Sequence, residues 1–166
     1  MTTGKGGAFI VGEIDGLADA LAEGLCAAGY GPVLRCDDHS PSSPVSASLL
    51  VYGAPQACAG ASVETPIHRS RAFAAALPQA GSGAIVMIFD RAALRPQVDC
   101  SAGTLFHAGL WTATRNLALS LAPAVRVNAL GLGTGAPDAA EVLAAILYLA
   151  GAEAVTGQMI ELGVAP

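Results

Sequence analysis

At 166 residues the chain has the length of one domain, residues 1–166, enough for a single substantial core. It is 53% hydrophobic with only 13% charged residues, more apolar than a solitary soluble domain needs, which points to surface covered by another subunit. The net charge is −5 and the eight Lys and Arg are scattered singly, so no basic patch tracks phosphates and nucleic acid is not expected as a partner.

Acidic residues interrupt the apolar part of the N-terminal MTTGKGGAFIVGEIDG, so it does not read as a signal peptide. The longest apolar run, Val142 to Ala152, is about half of what a bilayer requires, and no membrane contact is expected. Cys26, Cys36, Cys58 and Cys100 fit neither a C-x-x-C pair nor a His-completed zinc pattern, and no two ligand-type side chains share a helix face at metal spacing. The expectation is a cytoplasmic protein with buried or half-buried thiols and no metal.

In chain order, short β-rich runs alternate with Ala/Leu-rich helical stretches, the pattern of a parallel sheet with helices on its faces. The predicted strands are Ala8–Gly12, Pro32–Cys36, Ala47–Tyr52, Ala84–Phe89, Val125–Leu130 and Gln158–Leu162. The first helix, about Leu17–Ala28, follows Asp15 as its cap and stops at Gly29. The second, about Thr65–Ala76, has Pro66 in its first turn and Pro78 beyond its end. The third spans about Ser101–Leu121 and the fourth about Asp138–Leu149. Between the second and third strands, residues 37–46 are rich in Pro and Ser and read as an extended loop.

Three stretches carry the chemistry. The first strand is followed by Gly12-x-x-x-Gly16-x-Ala18 and a helix, a spacing that allows a tight turn and close backbone approach to a diphosphate. Glu13 and Asp15 stand in that loop, and each carboxylate within ~5 Å of a diphosphate costs on the order of 1 kcal/mol even in a water-like dielectric. The second stretch is SAGTLFHAGLWTATRNLALSLAPAVRVNALGLG, residues 101–133. The third is EVLAAILYLAGAEAVTGQMIELGVAP at the C-terminal end.

Together these resemble the short-chain dehydrogenase/reductase family over about residues 7–163, through Gly12-x-x-x-Gly16-x-Ala18, Arg126-Val127-Asn128-Ala129 and Ala-x-x-Val-Thr-Gly-Gln. The resemblance implies a Rossmann-like three-layer αβα fold with a parallel sheet of about six strands. One outer strand and its helices are missing, because ten residues replace a helix, a strand and a helix after Asp37. Aligned from Arg126, the family's Tyr falls on Gly103 and its Lys on His107; its Ser falls on Asp90 and its Asn on Thr65. Thus Thr65, Asp90, Gly103 and His107 stand at degenerate catalytic positions.

Hydride transfer to a carbonyl needs a proton donor poised near neutral pH and a cation to tune it. Gly103 supplies no donor, and His107 is no permanent cation. The leading expectation is therefore a pseudoenzyme without cofactor. It assembles with itself or with an active homologous dehydrogenase, through Leu105, Ala108, Gly109, Trp111, Thr112, Leu119 and Gln158. One alternative is an NAD(P)-dependent oxidoreductase that holds its cofactor with Gly12, Gly16, Ala18 and Asp37 and moves the proton with Asp90 and His107. Asp37 and Asp38 equally suit a turn before the Pro/Ser loop. Another alternative is a small-ligand or regulatory module using the crevice at the strand C-terminal ends.

Overall fold

A computed structural model of the chain describes residues 5–12, 14, 16–36, 47–55, 60–77, 81–91, 95, 101–133 and 138–163. Six strands form one sheet: β1 Gly7–Gly12, β2 Val33–Cys36, β3 Ala47–Gly53, β4 Gly83–Asp90, β5 Val125–Leu132 and β6 Met159–Leu162. Every neighbouring pair is parallel, and the order is β2-β1-β3-β4-β5-β6. Four helices connect them: α1 Ala18–Ala27, α2 Glu64–Ala76, α3 Ala102–Leu121 and α4 Ala139–Gly151. The predicted elements are all present, with ends displaced by one or two residues. Among the described residues β2 is the outermost strand on its side, where the family resemblance implies one more; residues 37–46 lie outside the described residues.

The sheet is apolar on both faces because a helical layer covers each. Phe73 of α2 and Phe106, Leu110, Leu117 and Ala118 of α3 pack with Phe9, Leu50, Ile85, Met87 and Val127 on one side. Leu21 and Leu25 of α1 and Val142, Ile146 and Leu149 of α4 pack with Ile10, Val51, Val86 and Leu130 on the other. This explains why the central strands read as continuous apolar runs rather than alternating ones. Each such aliphatic side chain, fully buried, contributes about 1.5–3 kcal/mol.

Helix ends follow local chemistry. Ser101 caps α3 by accepting from the Thr104 amide at 3.1 Å, and Asp138 caps α4 by accepting from the Glu141 amide at 2.8 Å. Helix α1 ends at Gly29, whose φ of 91° allows the Tyr30 amide to reach the Leu25 carbonyl and the Gly29 amide the Cys26 carbonyl. Its start differs from expectation. The residue before its first turn is Leu17, in helical conformation and with no side-chain cap bond, and the expected cap, Asp15, lies outside the described residues. Cys26 also departs from expectation: it is exposed on α1, whereas Cys36 is half-buried.

The last third of the chain is stitched by side chains. Buried Asn128 donates from Nδ2 to the Val155 carbonyl at 2.9 Å and accepts at Oδ1 from the Gln158 amide at 3.0 Å. Thr156 Oγ1 accepts from the Val127 amide at 3.1 Å. Arg126 donates to the Leu149, Ala150 and Ala152 carbonyls, closing the C-terminal end of α4. The Arg-Val-Asn-Ala and Val-Thr-Gly-Gln segments are thus each other's partners within one chain.

Candidate functional site

Open parallel sheets bind ligands outside the C-terminal ends of their strands, at the point where the strand order reverses. Here the chain steps from β1 to β2 on one side and returns to β3 on the other, so that point lies between β1 and β3. Gly12 ends β1 with φ 85°, and a Cβ placed there would lie 2.1 Å from the Gly53 carbonyl oxygen of β3. No other residue type fits. Gly16, with φ 69° and open space around it, carries the turn into α1, and Ala18 is the first residue of that helix. Ile14, between them, is buried in the core beneath the loop. Asp37, Glu13 and Asp15 lie outside the described residues.

The degenerate catalytic positions come to the same end of the sheet. Asp90 is the last residue of β4 and Gly103 lies in the first turn of α3. His107 is one turn further along, with only 4% exposure, edge-on to Phe106 at 5.5 Å and to Phe89 at 6.4 Å. Its Nδ1 accepts from the Asp90 backbone amide at 3.0 Å. The ring also bonds the Pro55 backbone, which has only a carbonyl to offer, so Nε2–H is the donor. Burial pushes the imidazole below its ordinary range, against the opposing pull of the Asp90 carboxylate and the Pro55 carbonyl. A neutral ring with both nitrogens committed to backbone is a strut between α3, β4 and the end of β3. Asp90 and His107 are brought together, but through the Asp90 amide rather than as the carboxylate–imidazole dyad that acid/base work requires. Thr65 is exposed in the first turn of α2.

One residue that sequence reasoning missed dominates the other half of the crevice. Arg91, next after β4, is buried with its side chain 7% exposed. Its guanidinium lies against Gly133, where a Cβ would meet Cζ at 3.1 Å; its Nε is 3.6 Å from Glu161 Oε2, and its Nη1 donates to the Gly163 carbonyl at 3.4 Å. Arg95 reaches the same Glu161 oxygen at 3.8 Å. Arg91 therefore covers the ends of β5 and β6. The signal was present in Gly131-Leu132-Gly133, whose missing side chains leave room for it, but nothing local in the sequence says which side chain enters.

The residues present fit a dinucleotide unevenly. The Gly12–Gly16 turn, leading into the N-terminus of α1, suits a diphosphate. The half lined by His107 and Arg91 fits it less well: Gly103 has no hydroxyl, His107 is no permanent cation, and the Arg91 guanidinium is turned to Glu161 and the Gly163 carbonyl. Among the described residues no three His, Cys, Asp or Glu side chains come within reach of one metal ion. No helix among them is long and apolar enough to cross a membrane.

The expected interface residues do not share one environment. Leu105 is 62% and Leu119 81% exposed, and Thr112 is exposed; Ala108, Gly109 and Trp111 are half-buried. Trp111 packs against Phe89 and lies beneath the Arg115 guanidinium. Gln158 sits just before β6, its amide engaged by Asn128.

Comparison with known proteins places this geometry. Among solved structures, FolM alternative dihydrofolate reductase 1 from Brucella canis, complexed with NADP, is similar with a TM-score of 0.77 and 22% identity; the match covers 95% of this chain and 92% of that one. A short-chain dehydrogenase/reductase from Serratia marcescens matches with a TM-score of 0.76 and 18% identity over 96% of each chain. A short chain oxidoreductase from Pseudomonas aeruginosa containing an atypical catalytic center matches with a TM-score of 0.74 and 21% identity over 95% of each. These likenesses establish the fold. No curated protein matches the sequence. The family model SDR-like, short chain dehydrogenase-like protein, matches residues 60–162, well over half of the chain, and the protein belongs to that family.

Proposed function

We propose that this chain is a non-catalytic short-chain dehydrogenase-like subunit that acts by assembly. The observation that carries the reading is His107: at the position of the family's lysine stands a buried, neutral imidazole whose two nitrogens hold the Asp90 amide and the Pro55 carbonyl. The one ring proton, on Nε2, is held by the Pro55 carbonyl, and a neutral ring lends no charge. Arg91, wedged against Gly133, supports the reading by filling the adjoining crevice. An inactive copy can still raise a partner's stability, since any species that binds only the folded form does so. The test is turnover of NADH and NADPH with a panel of carbonyl substrates by the purified chain. No activity above the rate of the His107→Phe variant is expected; activity lost on that substitution would refute the proposal.

A second reading rests on the other end of the crevice. The Gly12–Gly16 turn at the start of α1 keeps the shape of a diphosphate cradle, and the Brucella neighbour is a complex with NADP. On this reading the chain holds NAD(P) as a structural or regulatory ligand. A rise in melting temperature with millimolar NADPH, weakened in Gly16→Ala, would support it; no shift would remove it.

A further inference from the structure

A dinucleotide uses both halves of a doubly wound sheet: its diphosphate sits over the turn after the first strand, and one nucleoside lies over the strand ends on either side of the reversal point. The two sides of this crevice are not alike. On the β1 side the turn is open, since a Cβ built on Gly16 meets nothing within 4 Å. On the other side, over the ends of β5 and β6, the Arg91 side chain covers the strand ends among the described residues.

Arg91 leaves the end of β4 and runs sideways past β5 to β6, about two strand spacings or roughly 10 Å. Its stem lies on Gly131, where an added Cβ would meet the Arg91 Cβ at 3.4 Å and Cγ at 3.6 Å. Its guanidinium lies on Gly133, where an added Cβ would meet Cζ and Nη2 at 3.1 Å. Two residues apart, these glycines face the same way along the strand and leave a trough of bare backbone. At the far end Glu161 Oε2 is 3.6 Å from Nε, and the Gly163 carbonyl accepts from Nη1 at 3.4 Å. A solvated arginine keeps its rotamer freedom, but this side chain, 7% exposed, has given that freedom up. A ligand on this side would have to displace it from both glycines and from the ion pair. Nor does the guanidinium serve a diphosphate, because β6 lies about four strand spacings, roughly 19 Å, from β1.

We propose that Arg91 sets the ligand specificity of this crevice: it closes the half beyond β4, so that the chain takes a nucleoside diphosphate and excludes the second nucleoside of a dinucleotide. This rests on the nucleotide-holding reading above and names its ligand class, one half of the dinucleotide rather than the whole. The exclusion agrees with the non-catalytic reading, since the excluded half is the one that carries the hydride. Specificity of this kind comes from an obstruction to the larger ligand, with no new contact to the smaller one.

The test is calorimetric titration of the intact protein with each dinucleotide and its own half: NAD+ against ADP, and NADP+ against 2′-phospho-ADP. In the wild type the half should bind, and the dinucleotide should bind no more tightly than its half. In Arg91→Ala the dinucleotide should gain at least tenfold over its half, while affinity for the half stays within twofold of wild type. Glu161 is 41% exposed and Gly163 is at the surface, so the groups that Arg91→Ala leaves behind are solvated and the variant keeps the fold, as circular dichroism confirms. A wild-type protein that binds a dinucleotide at least tenfold more tightly than its half would overturn the proposal without any variant. An unchanged ratio in Arg91→Ala, or weaker dinucleotide binding there, would overturn it as well. The two failures are distinguishable: those outcomes leave the nucleotide-holding reading standing, whereas a wild-type chain that binds neither half nor dinucleotide at millimolar concentration removes both.

Discussion

Replacing His107 by Phe keeps a ring between Phe89 and Phe106 but removes both nitrogens. The Asp90 amide and the Pro55 carbonyl then lose their partners inside the protein. An unsatisfied buried polar group costs about 1–3 kcal/mol, so the pair costs roughly 2–4 kcal/mol after the gain from a more apolar ring is set against it. For a domain of this size that corresponds to a fall of about 6–12 °C in melting temperature. Acidity supplies a second, independent signature. The imidazole is held below its ordinary value of 6.5 in the folded chain, so between 6.5 and that lower value the unfolded state binds the extra proton. Wild-type stability is therefore full above 6.5 and falls as pH drops through this window, levelling off below the depressed value. The Phe variant has no such group, and the gap between the two proteins should narrow on acidification. Urea melts of both from pH 8 to pH 4.5 measure this. A difference below about 1 kcal/mol at pH 8, or a gap that stays constant with pH, would refute the strut.

Further substitutions probe the rest of the account. Gly12→Ala puts a methyl group into the Gly53 carbonyl at a positive φ and should abolish soluble expression or cost at least about 3 kcal/mol in urea, whereas Gly16→Ala, strained but unobstructed, should cost about 1 kcal/mol. Asn128→Ala removes one donor and one acceptor from the buried clamp and should cost roughly 2–4 kcal/mol, with hydrogen exchange at residues 155–158 rising at least tenfold relative to the strands. Arg126→Met leaves three terminal carbonyls of α4 without their donor and should lower stability by about 1–3 kcal/mol while leaving the α1 amides protected.

Much of the fold was legible because its signals are local or periodic. Gly29 after an apolar helix, Ser101 before one and Asp138 before another each fixed an end through their own hydrogen bonds. The buried strands could be read as apolar runs because both faces are covered. At α1 a cap is recognised by residue type while the helix start depends on how far the glycine turn extends, and Leu17, after Gly16 at positive φ, precedes the first turn.

At the site, the positions of Asp90, Gly103 and His107 followed from the spacing back from Arg126, and the structure brings Asp90 to His107. The atoms that meet did not follow from spacing. Whether Asp90 offers a carboxylate or an amide depends on backbone direction at the end of β4, which only the packed sheet decides. Arg91 escaped notice for a related reason. Alone after a strand it resembles a solvated charge, and it becomes a buried plug because Gly131 and Gly133 at the end of β5 leave a space of its shape and the Gly163 carbonyl accepts from it. Asn128 and Gln158 show the same limit: spacing does not say that the Asn128 side chain bridges the Val155 carbonyl and the Gln158 amide within the chain.

The central claim is that the chain works as a non-catalytic partner in an assembly, and native mass spectrometry of the gently tagged protein from its own cells tests it most directly. The account predicts a complex containing this chain and a second, larger dehydrogenase polypeptide that carries Tyr-x-x-x-Lys, with contacts mapped by cross-linking to α2 and α3. A monomer, or a self-oligomer that retains NAD(P) and turns it over, would contradict it.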